Sequence, residues 1–213
     1  MNLRILTRAL GAFGTNCYIL ACMESMEAAI IDPGSPDPWI ERTVAEEGFK
    51  PVAILLTHGH LDHIGGVARV KGATGIPLYV HGDDAPALTD TRLNGSAFFG
   101  TPVVAPQPDR LLRDGDELNV GKLKVKVLHT SGHTMGGVCY YVTAPGEAPA
   151  HLFAGDTLFA GSVGRSDLPG GDHAALIRSI REKLLDLPAD TVVYPGHGPT
   201  TTVGEEREYN PYL

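Results

Sequence analysis

The sequence is poor in cysteine, and what it has does not pair. Cys17, Cys22 and Cys139 are odd in number and form no C-x-x-C unit, which argues against a disulfide framework. They read as buried, reduced thiols on strands, and a cytoplasmic location is expected. Positive charge is also scarce: 17 Lys and Arg stand against 25 Asp and Glu, a formal net charge of −8. A general binder of phosphate backbones needs the opposite balance, so no nucleic-acid partner is expected. No apolar run approaches membrane-spanning length. Arg4 and Arg8 interrupt the N-terminal apolar stretch, which makes it a poor secretory signal. No membrane partner is expected. There is no low-complexity segment, no evident linker and no G-x-S-x-G nucleophile elbow.

What remains is an ordinary globular composition, 43% apolar over 213 residues, enough to bury a full core. The chain reads as one domain, 1–213, built of two similar halves at roughly 1–110 and 111–213. Short strands are expected at 3–6, 17–22, 28–31, 52–56 and 78–80, where apolar and β-branched residues cluster between turn residues. Asp37-Pro38 opens a helix carrying Trp39, Ile40, Val44 and Ala45 at helical spacing, and Gly48 stops it. A second helix is expected over 67–73. Residues 82–108 lose all periodicity, with Pro86, Pro102, Pro106 and Pro108 among them and Phe98-Phe99 between small residues. Such a segment is either a binding loop or lid, or a plain surface excursion with a short helix at 84–88. In the second half, residues 122–128 alternate Leu123, Val125 and Val127 with lysines, a strand buried on one face. Further strands are expected at 111–112, 117–120, 138–142, 151–154 and 192–194. Asp172 caps a helix bearing Ala175, Leu176, Ile180 and Leu184, and 205–209 reads as a last helical turn. Strands with occasional helices in two halves define an α+β class: two sheets inside, helices outside.

The chain is organised around Thr57-His58-Gly59-His60-Leu61-Asp62-His63, which follows the apolar run Val52-Ala53-Ile54-Leu55-Leu56. Three imidazoles and a carboxylate within six residues are ligands for zinc, and for iron or manganese. Adjacent Asp62 and His63 must point differently from His58 and His60, so the spacing suits two metals rather than one. A surface histidine cluster or a lone structural zinc is the bland alternative. The rest of the chain argues against both. His133, Asp156 and His197 each sit on a glycine-bearing loop just past a predicted strand, where open sheets tend to place their ligands. Seven ligands divide into two sets: His58, His60 and His133 for one metal, Asp62, His63 and His197 for the other, with Asp156 as the bridge. His81, His129, His151 and His173 lack this loop context and are left out, His129 being the one most able to act on a ligand from behind.

The string His58-Gly59-His60-Leu61-Asp62-His63, followed by His133, Asp156 and His197, resembles the metallo-β-lactamase fold superfamily over nearly the whole chain. The resemblance implies a four-layer αβ/βα sandwich, two β-sheets flanked by helices, with a binuclear metal site on one edge and the same seven ligands. His63 and Asp156 stand where zinc β-lactamases of the commonest class place arginine and cysteine, which points away from antibiotic hydrolysis and toward the glyoxalase II (hydroxyacylglutathione hydrolase) group. Gly155-Asp156-Thr157-Leu158-Phe159-Ala160-Gly161-Ser162-Val163-Gly164-Arg165-Ser166-Asp167, Pro195-Gly196-His197-Gly198-Pro199 and the tail from Gly204 to Pro211 are similar to short bacterial proteins of that type. The implied function is a thioesterase acting on S-lactoylglutathione or a related acyl thioester, with two divalent metals, zinc first and iron or manganese as alternatives. Asp62 is the implied catalytic carboxylate, orienting or deprotonating the attacking water. Arg165 matches a lysine that those enzymes use for glutathione. The assisting tyrosines have no counterpart, because Asp167 and Pro199 occupy their positions, and the extra C-terminal helical domain of the longer enzymes is not expected. The persulfide dioxygenases are a second resemblance. They imply one iron on His58, His133 and Asp156.

Overall fold

The computed structural model describes residues 2–213. The first sheet takes its strands in sequence order: β1 (Leu3–Leu10), β2 (Thr15–Cys22), β3 (Glu27–Ile31), β4 (Lys50–Leu55), β5 (Leu78–His81) and β6 (Arg110–Leu112). The second contains β7 (Glu117–Val120), β8 (Leu123–His129), β9 (Val138–Thr143) and β10 (His151–Gly155). After the small hairpin β11 (Leu158–Phe159) and β12 (Ser162–Val163), β13 (Val192–Pro195) and β14 (Thr201–Thr202) complete it in the order 14-13-10-9-8-7. The changeover between sheets falls between β6 and β7. Pairing is parallel from β3 through β6 and between β10 and β13, and antiparallel in the other pairs.

Strand side chains alternate between faces, and that alternation builds the layers. Leu20, Ile31 and Leu55 from the first sheet meet Val125, Val127, Tyr140 and Phe153 from the second in the central core. Their neighbours Ile30 and Ile54 face outward onto Ile40 of α1 (Trp39–Glu47) and onto Val67 and Val70 of α3 (Val67–Thr74). Between these helices lies the one-turn helix α2 (Leu61–Ile64). On the far side, Leu152, Ala154 and Val193 pack against Leu176 of α4 (His173–Ser179) and Ile180 and Leu184 of the π-helical turn that continues it. Each fully buried aliphatic side chain contributes roughly 1.5–3 kcal/mol. The result is an αβ/βα sandwich with one core between the sheets and one under each helical layer.

Several expectations are corrected in detail. β1 runs to Leu10 rather than residue 6, because β2 pairs with it residue for residue and satisfies its backbone whatever the side chains are. Asp37 does not stand at the helix N-cap. Its carboxylate accepts from Trp39 N at 2.8 Å, and Pro38 takes the capping position. Residues 85–88 form a 3-10 turn, and so do Ser96–Phe99. Asp62 and His63 lie in α2, not in a loop. The final helix α5 (Val203–Tyr209) starts earlier than expected, with the Thr202 hydroxyl accepting from Glu205 N. β11, β12 and β14 are too short to leave a periodic signal.

Candidate metal centre

All seven candidate residues arrive at one edge of the sandwich. The parallel strands β3 and β4 end there in Asp32 and the 57–63 segment, while β8, β10 and β13 deliver the loops of His133, Asp156 and His197. Cross-sheet hydrogen bonds pin this edge. Tyr140 Oη donates to Leu56 O at 2.6 Å, Tyr18 Oη to Pro195 O at 2.6 Å, and Val138 N to Thr57 O at 2.8 Å.

One group is made of imidazoles alone. His133 Nε2 lies 3.2 Å from His58 Nε2 and 2.9 Å from His60 Nδ1. Three ring nitrogens so close, each a donor or an acceptor but never all mutually satisfied, are what a shared cation resolves. The far nitrogens of two rings are held. His133 Nδ1 donates to Arg165 O at 2.7 Å, and His58 Nδ1 lies 3.1 Å from the Thr57 hydroxyl. The second group gathers Asp62, His63 and His197. His197 Nε2 is 3.2 Å from Asp62 Oδ2, and His63 Nε2 is 3.6 Å from the same oxygen. Asp156 stands between the groups: Oδ1 is 3.3 Å from His63 Nε2, while Oδ2 is 3.5 Å from His197 Nε2 and 3.8 Å from His133 Nε2. The ligand atoms within each group lie within 4.8 Å of one another.

Burial and charge set the protonation of these groups. Burial, reinforced by the neighbouring imidazoles, pushes His58 well below the ordinary histidine range and takes His60 down to about 3. Both rings are neutral at pH 7, the form that binds metal. Burial also opposes charge on His63, but Asp62, Asp156 and Asp32 surround it and raise it well above its usual value. The hydrogen bond with Asp62 raises His197. Burial works to raise Asp62 and Asp156, yet His63 and the other imidazoles hold both carboxyls below the usual range.

Three carboxylates that the sequence left without a role organise this edge. Asp32, buried and at the left-handed φ of 48°, accepts from Thr57 N at 2.8 Å, from Thr57 Oγ1 at 2.6 Å and from His63 Nδ1 at 2.9 Å. It therefore aims His63 Nε2 at the second group. Asp84, buried in the 82–108 segment, accepts from Gly59 N at 2.9 Å, Thr134 Oγ1 at 2.8 Å and Gly136 N at 2.7 Å. It ties the loop of His58 and His60 to the loop of His133. Burial raises its pKa, against the pull of those donors. Glu206, in the tail, accepts from Gly161 N at 2.9 Å and Thr201 Oγ1 at 2.7 Å, while Asn210 Nδ2 donates to Ser162 O at 3.0 Å. The tail thus fastens the β11–β12 hairpin beside Asp156. The available signal for Asp32 was a polar residue just past a buried strand, the same context that marks Asp156. Asp84 had none, because its partners lie 25 to 52 positions away.

Close packing leaves no room for larger residues here. A Cβ on Gly196 would collide with Asp156 Oδ1 and His63, and one on Gly34 with the Asp62 carbonyl. The excluded histidines lie elsewhere. His151 contacts Tyr194 Oη, and His173 sits 3.4 Å from Ser166 Oγ. His81 stacks on His129 at 4.1 Å and 13°, with Asp83 alongside as a further group of potential ligand atoms. His129 Nε2 donates to Met135 O at 2.8 Å, so it braces the His133 loop rather than joining the ligands. Arg165 lines the cleft over the centre, but its Nε and Nη2 donate to Asp167 at 2.8 and 2.9 Å. The three cysteines are free and buried. No helix among the described residues is long and apolar enough to cross a membrane.

The residues fit a metal centre on their own evidence. His63 Nε2 and Asp156 Oδ1, the atoms facing each other at 3.3 Å between the two groups, are buried without a hydrogen bond of good geometry, which a protein tolerates rarely and at a cost of about 1–3 kcal/mol each. An all-N/O donor set of histidine and aspartate suits zinc, iron and manganese.

Fold and site together define a protein of the metallo-hydrolase superfamily type, and the family model of the metallo-beta-lactamase superfamily matches residues 10–197. The chain belongs to that superfamily. It is 36% identical to the hydroxyacylglutathione hydrolase GloC of Haemophilus influenzae, over 100% of this chain and 98% of the relative. Among solved structures, the BLEG-1 B3 metallo-beta-lactamase superposes with a TM-score of 0.92 at 42% identity, covering 99% of both chains. TTHA1623 in a di-iron-bound form gives 0.85 at 40% identity, covering 98% of this chain and 100% of that one.

Proposed function

We propose that this protein is a binuclear metal-dependent thioesterase of the hydroxyacylglutathione hydrolase type. The observation that carries the proposal is the second ligand group, Asp62, His63 and His197, standing beside the histidine triad with Asp156 between them. One divalent cation belongs to each group, with zinc first and iron or manganese as alternatives. Such ions supply Lewis acidity toward a carbonyl oxygen and a water that ionises near neutral pH. The chain supplies the rest. The Thr15 hydroxyl donates to Asp62 Oδ2 at 2.7 Å and fixes the carboxylate. With the cations bound, Asp62, ionised and partly open to the cleft, would orient the attacking water and accept its proton. A thiol leaving group has a conjugate-acid pKa of about 8.5 and departs without a strong general acid. Arg165 offers its donors at the rim to a substrate carboxylate, in competition with Asp167. Reduced, buried cysteines support a cytoplasmic location.

Two other readings remain distinguishable. A persulfide dioxygenase needs one iron on His58, His133 and Asp156, and leaves Asp62, His63 and His197 without a purpose. The likeness to BLEG-1 motivates a β-lactam arm. The test is elemental analysis of protein purified without added metal, followed by S-lactoylglutathione, a β-lactam and a persulfide as substrates. Two metals per chain and thiol release without oxygen uptake are expected. A single iron with oxygen uptake on the persulfide and no thiol release refutes the proposal, and so does β-lactam hydrolysis outpacing every thioester.

A further inference from the structure

Over the metal centre lies a cleft of about 550 Å³. Much of its lining is aromatic: Phe13, Phe98, Phe99 and Phe159 line it, with Leu61 and Leu168, and the Phe159 ring lies 6.3 Å from that of His197. Phe98 is 65% exposed, Phe99 59% and Phe13 46%. Phe13 comes from the β1–β2 turn and Phe99 from the 3-10 turn more than eighty positions on, yet their rings meet edge to face at 5.2 Å and 85°. Two separate segments therefore build one apolar surface above one site. Exposed apolar surface of this kind, concentrated in a concave site, marks a place where apolar groups bind.

The surface is held in place. Asn94, fully buried, donates through Nδ2 to Ala87 O and Val103 O, both at 2.9 Å, and its Oδ1 accepts from Ser96 N at 3.0 Å. Ser96 Oγ accepts from Val103 N at 3.0 Å. The Asn94 carbonyl accepts from Leu61 N at 3.0 Å, at the start of the helix that carries Asp62 and His63. The turn bearing Phe98 and Phe99 is thus a braced platform wired to the metal helix.

Charge in the cleft points the same way. Arg165 is the sole Lys or Arg among the described residues lining it, and Asp167 already occupies its fork. Away from the two ligand groups, a substrate rich in carboxylates finds one exposed, pre-neutralised cationic side chain, whereas an apolar chain finds four phenyl rings.

We infer that the substrates are thioesters with an apolar acyl chain, seated against Phe13, Phe98 and Phe99 with the carbonyl at the metal groups. This rests on the thioesterase reading and narrows its substrate from lactoyl to aliphatic or aromatic acyl groups. The test uses the metal-loaded protein and N-acetylcysteamine thioesters from acetyl to octanoyl, alongside the matching non-hydrolysable alkyl thioethers in titration calorimetry. A chain half-wrapped by the wall should raise kcat/KM, and the thioether association constant, roughly twofold per methylene. The double variant Phe98→Ser/Phe99→Ser should flatten both slopes while metal content is kept. Hydrolysis with no dependence on chain length overturns the inference and leaves the thioesterase reading standing. Thioether affinity that climbs with length, flattens in the double variant and is accompanied by no hydrolysis at any length supports the apolar site and refutes the thioesterase. A changed oligomeric state in the double variant with unaltered slopes assigns the rings to a subunit contact and overturns the inference.

Discussion

Replacing Asp84 by alanine tests how the two halves of the metal edge are joined. Its carboxylate accepts three hydrogen bonds from Gly59 N, Thr134 Oγ1 and Gly136 N, all in buried surroundings. Alanine leaves two amides and a hydroxyl without an acceptor, at about 1–3 kcal/mol apiece. Desolvation of the lost carboxylate is recovered in part, so the expected net loss is about 4 kcal/mol in the metal-free protein. Asp84→Asn is the finer probe. Its amide oxygen can still serve Gly59 and Thr134, which share Oδ2, but its NH2 then faces the Gly136 N–H. One lost bond predicts about 2 kcal/mol. The assay is urea unfolding after chelator treatment, paired with chelator competition for metal. Because Asp84 bridges the His58–His60 loop and the His133 loop, metal at the histidine triad should weaken alongside stability. A loss below about 1 kcal/mol for Asp84→Ala, with metal affinity unchanged, refutes the reasoning.

Asp156→Ala should release both metals and His197→Ala chiefly the one at the Asp62 group, as measured by elemental analysis after gel filtration; two tightly held metals in Asp156→Ala would remove its bridging role. Arg165→Ala should raise KM for an anionic thioester about fivefold, roughly 1 kcal/mol, and Asp167→Asn should lower it about threefold by freeing the guanidinium. Neither should alter kinetics on a neutral thioester, and equal effects on both substrates would assign the pair to loop support.

Much of this edge is legible in the amino-acid sequence, because its signals are local. Polar residues on glycine-bearing loops directly after apolar strands announce His133, Asp156 and His197, and the six residues from His58 to His63 carry four candidate ligands. What stays hidden is shorter or longer in range. The hairpin 158–163 has two-residue strands with no period to read. The 82–108 segment has no regular pattern, since its order comes from the buried Asn94 and Asp84 rather than from repeating strands or helices.

The sequence by itself determined the donor chemistry, the alternation that makes two sheets, and the strand ends on which the candidate ligands sit. These follow from residue type and from spacing along a chain whose side chains change face at every step. The tertiary structure decided everything that depends on distance through space. It brought His133 within 3.2 Å of His58 across 75 positions, set Asp156 between the two groups, and closed Arg165 onto Asp167. It also joined Phe13 to Phe99 over the cleft. Such contacts arise from parallel strand ends converging on one edge and from two sheets packing their common face, neither of which leaves a mark within a short window of sequence.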